Sequence, residues 1–251
     1  ILKNLPKLPG TGIIYCRTKF DCDDLSNFLL QNGIKACAYY SRSGVVEEEK
    51  NNNNLRLFCE NKIKVLVSTV KLGMGYDKDD VAFVIHYQMP KSIVEYYQQI
   101  GRAGRKLKKA FAILLSGPED EEINHYFIET AFPEQQEAEQ VYEAIGDNEG
   151  ITERGLLKEV NLGFGKVSKI VHFLRTDGYI EETGSKLYQT PKIYVYDGDT
   201  YAKIKERRYQ DLNQMEQIIS HQGCLQNYIT QCLDDAEVKV CGHCFNCHPE
   251  D

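Results

Sequence analysis

Two arginines in the segment QQIGRAGR, residues 98–105, have the spacing of a phosphate-binding pair. Arg102 and Arg105 lie three residues apart, so two planar guanidinium groups can reach the same polyphosphate. Gln98 adds a polar side chain at the start of the segment. These three residues are therefore candidates for catalysis at a phosphate group.

No stretch of the 251 residues matches the usual nucleotide-binding loop. The segment GFGKVS, residues 163–168, is similar to one, but the pattern G-x-x-x-x-G-K-[ST] requires Gly at position 160 and Ser or Thr at position 167. Those positions hold Val160 and Val167, and the segment is predicted to be a turn between two helices. The sequence therefore supplies arginines for a polyphosphate but no loop to hold it.

Further candidates for phosphate contact follow two predicted strands. In an open parallel sheet, ligands bind beyond the carboxyl ends of the strands, and a helix start offers backbone N–H groups to a phosphate. Within STVKLGMGYD, Gly75 permits close approach of a ligand, and Asp77 can accept a hydrogen bond from a ribose hydroxyl. The residues predicted to bind DNA through its phosphates at these strand ends are Arg17, Thr18, Lys19, Ser68 and Thr69.

Five of the nine cysteines lie within residues 224–247. Cys241, Cys244 and Cys247 form two overlapping C-x-x-C steps, and a tetrahedral zinc site needs a fourth soft ligand. Cys224 is favoured as that ligand, because Cys232 follows an apolar helical turn where it can simply pack. A redox dithiol or a disulfide is the alternative interpretation. Because no ligand position remains for water, the zinc is predicted to be structural.

Short β-branched and aromatic runs alternate with helical patterns up to about residue 130. The predicted strands are GIIYC, KACAYY, KVLVS, VAFVIHY and AFAILLS. This alternation predicts an α/β fold with a parallel sheet and helices on both faces, assigned to a first domain at residues 1–132. The helix between the first two strands should end at Gly33. The run Asn51–Asn54 is predicted to be a polar loop or the start of a poorly packed helix.

A second unit, residues 133–198, has the outline of a winged helix. Helical spacing is followed by a short helix, a turn, a second helix (KVSKIVHFLRTDG) and two strands, YIEE and KLYQTPKIYVY. On the second helix Lys166, Lys169 and Arg175 recur on one face, which indicates either contact with a DNA backbone or an ordinary solvated face. Residues 199–251 are assigned to a third unit, in which a long helix through TYAKIKERRYQDLNQMEQIIS leads into the cysteine cluster.

The bulk composition sets only weak limits on function. The net charge of −7 argues weakly against binding to nucleic acid, which needs Lys and Arg. Since the sequence has no apolar run near 18 residues and no leader-like start, we expect no membrane partner and an intracellular location: cytoplasmic (the nucleoid) in a bacterium, or nuclear in a eukaryote. The chain begins with Ile, as a piece of a longer protein would.

The segments GIIYCRTK and VLVSTVKLGMGYDKDDVAFVIHYQMPKSIVEYYQQIGRAGR closely resemble the second motor domain of RecQ-family DNA helicases. They correspond to motifs IV, V and VI of that domain in order and at normal separation. The cysteine pattern is similar to the zinc module of the same family, which lies on a helical hairpin. The resemblance covers most of residues 10–130 and 200–248 and implies a RecA-like parallel sheet.

The resemblance also implies a mechanism. ATP and Mg²⁺ would lie between two motor domains, and the first of these, with its phosphate loop, is the N-terminal domain of the same protein. Arg102 and Arg105 would reach across to the γ-phosphate, with Arg105 as the arginine finger. The expected function is 3′→5′ translocation on single-stranded DNA and unwinding at a duplex junction, in repair or recombination.

The sequence departs from the family at three places. AYYSRSG replaces a histidine-containing YHAG, CLQ replaces a basic CRR, and the winged-helix-like unit precedes the cysteines instead of following them. Two alternative functions are a zinc-stabilised winged-helix DNA-binding regulator and an RNA helicase of the same superfamily. The regulator would leave the arginine pair without a role.

Overall fold

The computed structural model describes residues 1–41, 45–73, 78–235, 237 and 239–248. Gly75 and Asp77, two predicted nucleotide contacts, lie outside these residues. The chain divides into two compact units, Ile1–Asn124 with Gln210–Asp251, and His125–Tyr209. The three-part division at 132/133 and 198/199 stays a prediction. None of the helices in the described ranges is long and apolar enough to cross a membrane.

A five-stranded parallel sheet forms the centre of the first unit. Its strands are β1 (Thr11–Tyr15), β2 (Ala36–Tyr39), β3 (Val65–Ser68), β4 (Val81–His86) and β5 (Phe111–Leu114). They are ordered β2-β3-β1-β4-β5, and every neighbouring pair is parallel. The three central strands, β3, β1 and β4, are buried along their whole length, as a sheet covered on both faces requires. The predicted α/β fold class is therefore confirmed.

Nine α-helices are described along the chain. They are α1 (Lys19–Gln31), α2 (Val45–Cys59), α3 (Ile93–Ile100), α4 (Pro118–Glu129), α5 (Gln135–Gly146), α6 (Glu153–Leu156), α7 (Phe164–Thr176), α8 (Gly198–Ser220) and α9 (Leu225–Cys232). Short 3-10 helices cover Leu5–Lys7 and Val70–Gly73. Helix α1 begins with a capping box between Thr18 and Asp21, and the chain leaves it through Gly33 at φ +79°, as predicted.

Alternate residues of the central strands pack into two cores, one on each face of the sheet. Ile14 and Val67 pack with Leu25 of α1 on one face. Ile13 and Leu66 pack with Phe58 of α2 on the other. This alternation is the two-residue period of a strand, and it fixes the direction of every side chain at the ends of the strands.

The asparagine run lies inside α2, so the prediction of a loop or helix start was wrong. Asn51 is buried and donates to the carbonyl of Tyr40 at 2.6 Å, and Asn54 donates to the carbonyl of Ala38 at 2.8 Å. Strand β2 is an edge strand, whose outer carbonyls lack a neighbouring strand. The two amides satisfy these carbonyls, which explains polar residues on the inner face of a helix.

The second unit has the order of a winged helix. Helices α5, α6 and α7 are followed by an antiparallel hairpin of β6 (Ile180–Thr183) and β7 (Lys186–Gln189), and Ile151 bridges to Leu187. The prediction that the second strand continues to residue 196 was wrong. Strand β7 ends at Gln189, shortly before Pro191, which has no N–H to extend a ladder.

Helices α8 and α9 form the predicted helical hairpin. Helix α8 has 23 residues, a length of about 34 Å. The Tyr228 hydroxyl on α9 donates to the carbonyl of Gln214 on α8 at 2.9 Å. Helix α9 also contacts α3, so the cysteine-bearing end of the chain lies beside the helix that precedes the arginine pair.

Candidate functional sites

The arginine pair lies in the turn that follows α3. Ser92 caps the start of α3 by accepting from the N–H of Glu95, and Gly101 caps its end. Gly104 has φ +80°, and its N–H donates to the carbonyl of Val81 at 2.9 Å. A Cβ at Gly104 would come within 3.0 Å of the Ala110 Cβ, so glycine suits this position twice over.

The side chains of the three catalytic candidates lie at or near the surface. Arg105 and Gln98 are exposed, and Arg102 is partly buried. Arg102 is close enough to Tyr15 for its charge to lower the pKa of that phenol, although burial outweighs this effect and raises the Tyr15 pKa to about 12. The arginines therefore lie on a turn whose backbone is hydrogen-bonded to the sheet.

A buried polar network attaches α3 to the sheet. The His86 Nε2 lies 2.6 Å from the Gln99 Oε1, and the Gln99 Nε2 donates to the Glu95 Oε1 at 3.0 Å. Because the Gln99 amide nitrogen already donates to Glu95, the His86 Nε2 carries the proton of this bond. The His86 ring stacks on Tyr15, with ring centroids 5.6 Å apart, and contacts Tyr96.

His86 is neutral at physiological pH. Burial lowers its pKa to about 4, and the hydrogen bond with Gln99 offsets only part of that shift. The His86 Nδ1 and the Tyr15 hydroxyl are buried and have no hydrogen-bond partner within the described ranges. Sequence reasoning missed this network. The signal was the histidine at the end of the apolar run VAFVIH.

The remaining phosphate candidates lie at the carboxyl edge of the sheet, as predicted. Tyr15 and Ser68 are register partners at the ends of β1 and β3, so residues 17–19 and Thr69 follow adjacent strands. The N–H of Gly104 donates to the carbonyl of Val81, which lies at the amino end of β4. Six residues of strand span about 17 Å. The structure thus brings residues 17–19 and 68–69 together and fixes the turn before Arg105 at the other end of the sheet.

Several of these side chains already bind within the chain. The Arg17 Nη2 donates to the Met89 carbonyl at 2.9 Å and to the Asn124 Oδ1 at 2.7 Å. Ser68 is fully buried, and its hydroxyl lies 2.8 Å from the carbonyls of both Tyr39 and Thr69. Ser68 therefore presents no hydroxyl at the surface, whereas the side chains of Thr18 and Lys19 are exposed.

Cys224, Cys241, Cys244 and Cys247 form a compact four-thiol cluster. Their Sγ atoms all lie within 4.8 Å of one another. The Cys244 Sγ is 3.4 Å from that of Cys247 and 4.0 Å from that of Cys224, and the Cys241 and Cys247 Sγ atoms are 4.0 Å apart. A tetrahedral zinc with bonds of about 2.3 Å separates its sulfurs by about 3.8 Å. The cluster therefore has the dimensions of a zinc site.

Backbone N–H groups contact the cluster and favour the thiolate form of Cys224 and Cys244, whereas burial raises the pKa of Cys241 and the hydrogen bond with Cys244 raises that of Cys247. The Cys224 Sγ accepts from the N–H groups of Asn227 and Cys241, and the Cys244 Sγ accepts from that of Leu225. Desolvation raises the Cys244 pKa, but hydrogen bonds from Leu225 and the neighbouring cysteines outweigh it and lower that pKa to about 6. Metals bind cysteine as thiolate, so this environment suits a cation.

The cluster is tied to the helical hairpin at both ends. Cys224 caps the start of α9, and the Asn246 side chain donates to the carbonyls of His221 and Gly223 at 2.6 and 2.7 Å. Cys232 is the last residue of α9, about 10 Å along the helix from its start, and it is not part of the four-thiol group. The geometry matches the favoured ligand set with Cys224.

The three cations of α7 all contact acceptors within the second unit. Lys166 forms an ion pair with Glu137 at 2.5 Å, and Arg175 forms one with Glu182 at 2.5 Å. The Lys169 Nζ donates to the carbonyl of Thr130. Desolvation lowers the pKa of Lys169, and the charges of Arg208 and Lys205 lower it further. A DNA phosphate would have to compete with these partners.

Comparisons with known proteins agree with these features. The family model "Helicase conserved C-terminal domain" matches residues 1–106, and the family model "RecQ zinc-binding" matches residues 169–248. The second match contains all four clustered cysteines.

Three relatives each align with part of this chain. The ATP-dependent DNA helicase Q1 of Pongo abelii is 45% identical over 107 residues, which are 43% of this chain and 16% of that protein. The ATP-dependent DNA helicase Q5 of Rattus norvegicus is 36% identical over 51% of this chain and 13% of that protein. The ATP-dependent helicase SGS1 of Saccharomyces cerevisiae is 41% identical over 41% of this chain and 7% of that protein. The chain thus spans less than a fifth of each relative.

Proposed function

Because the chain belongs to the RecQ family of superfamily 2 helicases, we propose that it is the C-terminal part of an ATP-dependent DNA helicase. The whole protein would couple ATP hydrolysis to 3′→5′ translocation on single-stranded DNA and to unwinding at a duplex junction. The observation that carries the proposal is the arginine turn, which Gly104 and the His86–Gln99 bond hold against the sheet. The N-terminal motor domain of the same protein would hold the nucleotide and its Mg²⁺.

In this proposal the arginines complete a nucleotide-binding site whose other residues belong to the N-terminal motor domain. Phosphoryl transfer needs mainly positioning and charge stabilisation, and a planar guanidinium contacts two phosphate oxygens at once. Arg105, which is exposed, serves as the arginine finger on the γ-phosphate. Arg102 and Gln98 bind and orient the same group, and Gly75 and Asp77 are proposed to contact the nucleotide.

The four-thiol cluster is proposed to bind one structural Zn²⁺. The sulfur separations and the backbone donors fit this ion, and four thiolates leave no position for a catalytic water. Zinc bound by the four cysteines would tie α9 to the loop at residues 241–247. Since α9 contacts α3, the metal would also support the helix before the arginine turn.

The DNA is proposed to contact the carboxyl edge of the sheet and the basic face of α7. Thr18, Lys19 and Thr69 are the candidates with accessible side chains at that edge. Arg17 would act mainly by holding the loop after β4, because its guanidinium binds Met89 and Asn124. Lys166, Lys169 and Arg175 would contact phosphates only by exchanging their present partners.

The test is Arg105→Ala in the full-length protein. We expect ATP binding to remain nearly intact and the DNA-stimulated ATPase rate to fall by roughly 10³-fold or more, because an arginine finger acts chiefly in the transition state. Arg105→Lys should not restore the rate, since an ammonium lacks the planar fork. The matched control is Arg56→Ala, which removes an exposed arginine on α2 that bonds only locally to Asn53.

Two results would count against the proposal. Near-normal ATPase in Arg105→Ala would transfer the role to Arg102. A full-length protein that unwinds an RNA duplex but not the DNA duplex of the same sequence would be an RNA helicase. Metal content and the thermal unfolding temperature of each variant separate lost chemistry from lost folding.

A further inference from the structure

A basic groove lies at the amino edge of the sheet, opposite the edge where DNA contact is proposed. It has a volume of about 980 Å³ and is lined by residues that precede the strands. Lys35 comes directly before β2, Lys64 directly before β3, and Lys108 and Lys109 just before β5. Because all five strands are parallel, these lysines lie along one edge. We call this feature the amino-edge groove.

The groove concentrates positive charge in a chain whose net charge is −7. Five lysines line it: Lys35, Lys62, Lys64, Lys108 and Lys109. Asp80 is the one acidic residue in the described part of the lining, and it already binds a further lysine, Lys78, which lowers the Asp80 pKa. The carboxylate therefore does little to neutralise the groove.

Two of the lysines are available for a ligand. Lys35 and Lys108 are exposed, and neither has an ion pair with any residue that the structure describes. By contrast, Lys62 pairs with Glu60 at 2.6 Å, and the Lys64 Nζ donates to the Leu8 carbonyl and lies over the Phe83 ring. Lys35 and Lys108 are thus the side chains that would gain most from an anion.

The dimensions of the row match a nucleic-acid backbone. Strands β2 and β5 are separated by four inter-strand spacings, about 19 Å in all. Duplex DNA presents one phosphate per strand for each 3.4 Å or so of its axis, so a row of this length covers about five base pairs. Lysines are compact point charges that contact phosphates without reading sequence.

The groove lacks the features that single strands and specific sites use. Among the lining residues that the structure describes, none is aromatic, so none offers a ring on which an unpaired base could stack. We therefore propose that the amino-edge groove is a second DNA-binding site that holds the phosphate backbone of a duplex without sequence preference. The groove lies at the same end of the sheet as the turn before Arg105, but neither Arg102 nor Arg105 lines it, and it would let one motor domain contact single-stranded and duplex DNA on opposite edges.

The experiment combines binding with lysine footprinting on the 251-residue chain. In Lys35→Gln/Lys108→Gln, affinity for a 20-base-pair duplex should fall roughly tenfold or more at low salt. The slope of log affinity against log salt concentration should become shallower by about 1.8, since each lost phosphate contact removes about 0.9. The matched control is Lys50→Gln/Lys203→Gln, which removes two exposed lysines from α2 and α8. In the unmodified chain, the duplex should protect Lys35 and Lys108 from acetylation and leave Lys50 reactive.

Several outcomes would overturn the site. An unchanged salt slope together with unprotected lysines would show that the groove binds no DNA. Equal protection by a single strand of the same length would refute the duplex assignment, and protection by a polyglutamate peptide alone would assign the groove to an acidic protein. The full-length double variant should keep its maximal ATPase rate on single-stranded DNA. The arginine-finger test measures the ATPase rate, whereas this test measures duplex binding, so either proposal can fail without the other.

Discussion

The four-cysteine cluster and the basic face of α7 are both regular sequence patterns, yet the structure surrounds them in opposite ways. The four Sγ atoms lie within 4.8 Å of one another and accept hydrogen bonds from backbone N–H groups and from neighbouring thiols. Each cation of α7 contacts an acceptor of its own unit. The thiols are thus grouped with one another, whereas Lys166 and Arg175 each pair with a carboxylate and Lys169 donates to the Thr130 carbonyl.

This difference explains why the two patterns carry different weight as predictions of a ligand. Four thiols at this distance gain little from one another, because neither sulfur nor S–H is a strong hydrogen-bonding group. An exposed ion pair is worth at most about 1 kcal/mol, so it neither requires a ligand nor prevents one from binding. The cluster therefore predicts a bound ion more strongly than the α7 face predicts a bound phosphate.

The largest expected effect is the loss of metal in Cys244→Ser. We expect zinc to fall from about one per chain to near zero, because three thiolates remain where a structural site needs four. Structural zinc supplies on the order of 10 kcal/mol of folding energy in small modules, so the segment from α9 to His248 should lose its structure. Metal analysis and limited proteolysis measure the two effects.

The matched control is Cys232→Ser, which removes a cysteine at the other end of α9 from the cluster. It should retain zinc and resist proteolysis. If Cys232→Ser lost the metal while Cys224→Ser retained it, the fourth ligand would be Cys232. If Cys244→Ser were stably folded without metal, the cluster would not depend on an ion, and it would then resemble the basic face of α7 in this respect.

His86 is intermediate between the two cases, because one ring nitrogen has a partner and the other has none. Its pKa in the folded protein is about 4, below the ordinary value of 6.5. The unfolded chain therefore binds a proton more readily. The stability that neutral His86 contributes is present above about pH 6.5 and is lost as the pH falls toward 4, about 3 kcal/mol in all.

The measurement is urea unfolding of the protein and of His86→Gln between pH 7 and pH 4. Glutamine can still donate to Gln99 but does not titrate, so the parent should lose about 3 kcal/mol more than the variant over this range. Carboxylates and cysteines titrate equally in both proteins and cancel in the difference. Parallel pH profiles would show that His86 is not held neutral.

The same contrast indicates what the sequence could predict. The strands and the end of α1 at Gly33 follow from local patterns, because periodicity and a positive φ are properties of adjacent residues. The cysteine cluster was predictable because three of its members lie within seven residues. Local chemistry was sufficient for these features.

The contacts that local patterns did not reveal join residues that are distant in the sequence. Arg17 binds Asn124, 107 residues away, and Ser68 binds the carbonyl of Tyr39, 29 residues away. Asn51 was assigned to a loop or the start of a poorly packed helix, because its acceptor, the carbonyl of Tyr40, belongs to a strand edge that no local pattern reveals. The role of a polar residue thus depends on a tertiary partner that composition and spacing do not specify.

The smallest expected effect tests the α7 face directly. In Glu182→Gln, Arg175 loses its carboxylate partner, which lies 2.5 Å away in the parent. If α7 contacts DNA, affinity for duplexes of unrelated sequence should rise about two- to fivefold, and the salt slope should steepen by up to about 0.9, because one more cation becomes available to a phosphate. Stability should change by less than about 0.5 kcal/mol, since the pair is exposed.

The matched control is Glu181→Gln, the neighbouring exposed residue of β6, whose side chain points to the opposite face of the hairpin. It makes the same change in net charge, so any rise it produces measures the general effect of charge on DNA binding. A rise in Glu182→Gln alone would show that Arg175 exchanges its carboxylate for a phosphate. Equal effects in both variants would show that the ion pairs of α7 complete an ordinary solvated face, and that DNA contact belongs to the two edges of the sheet.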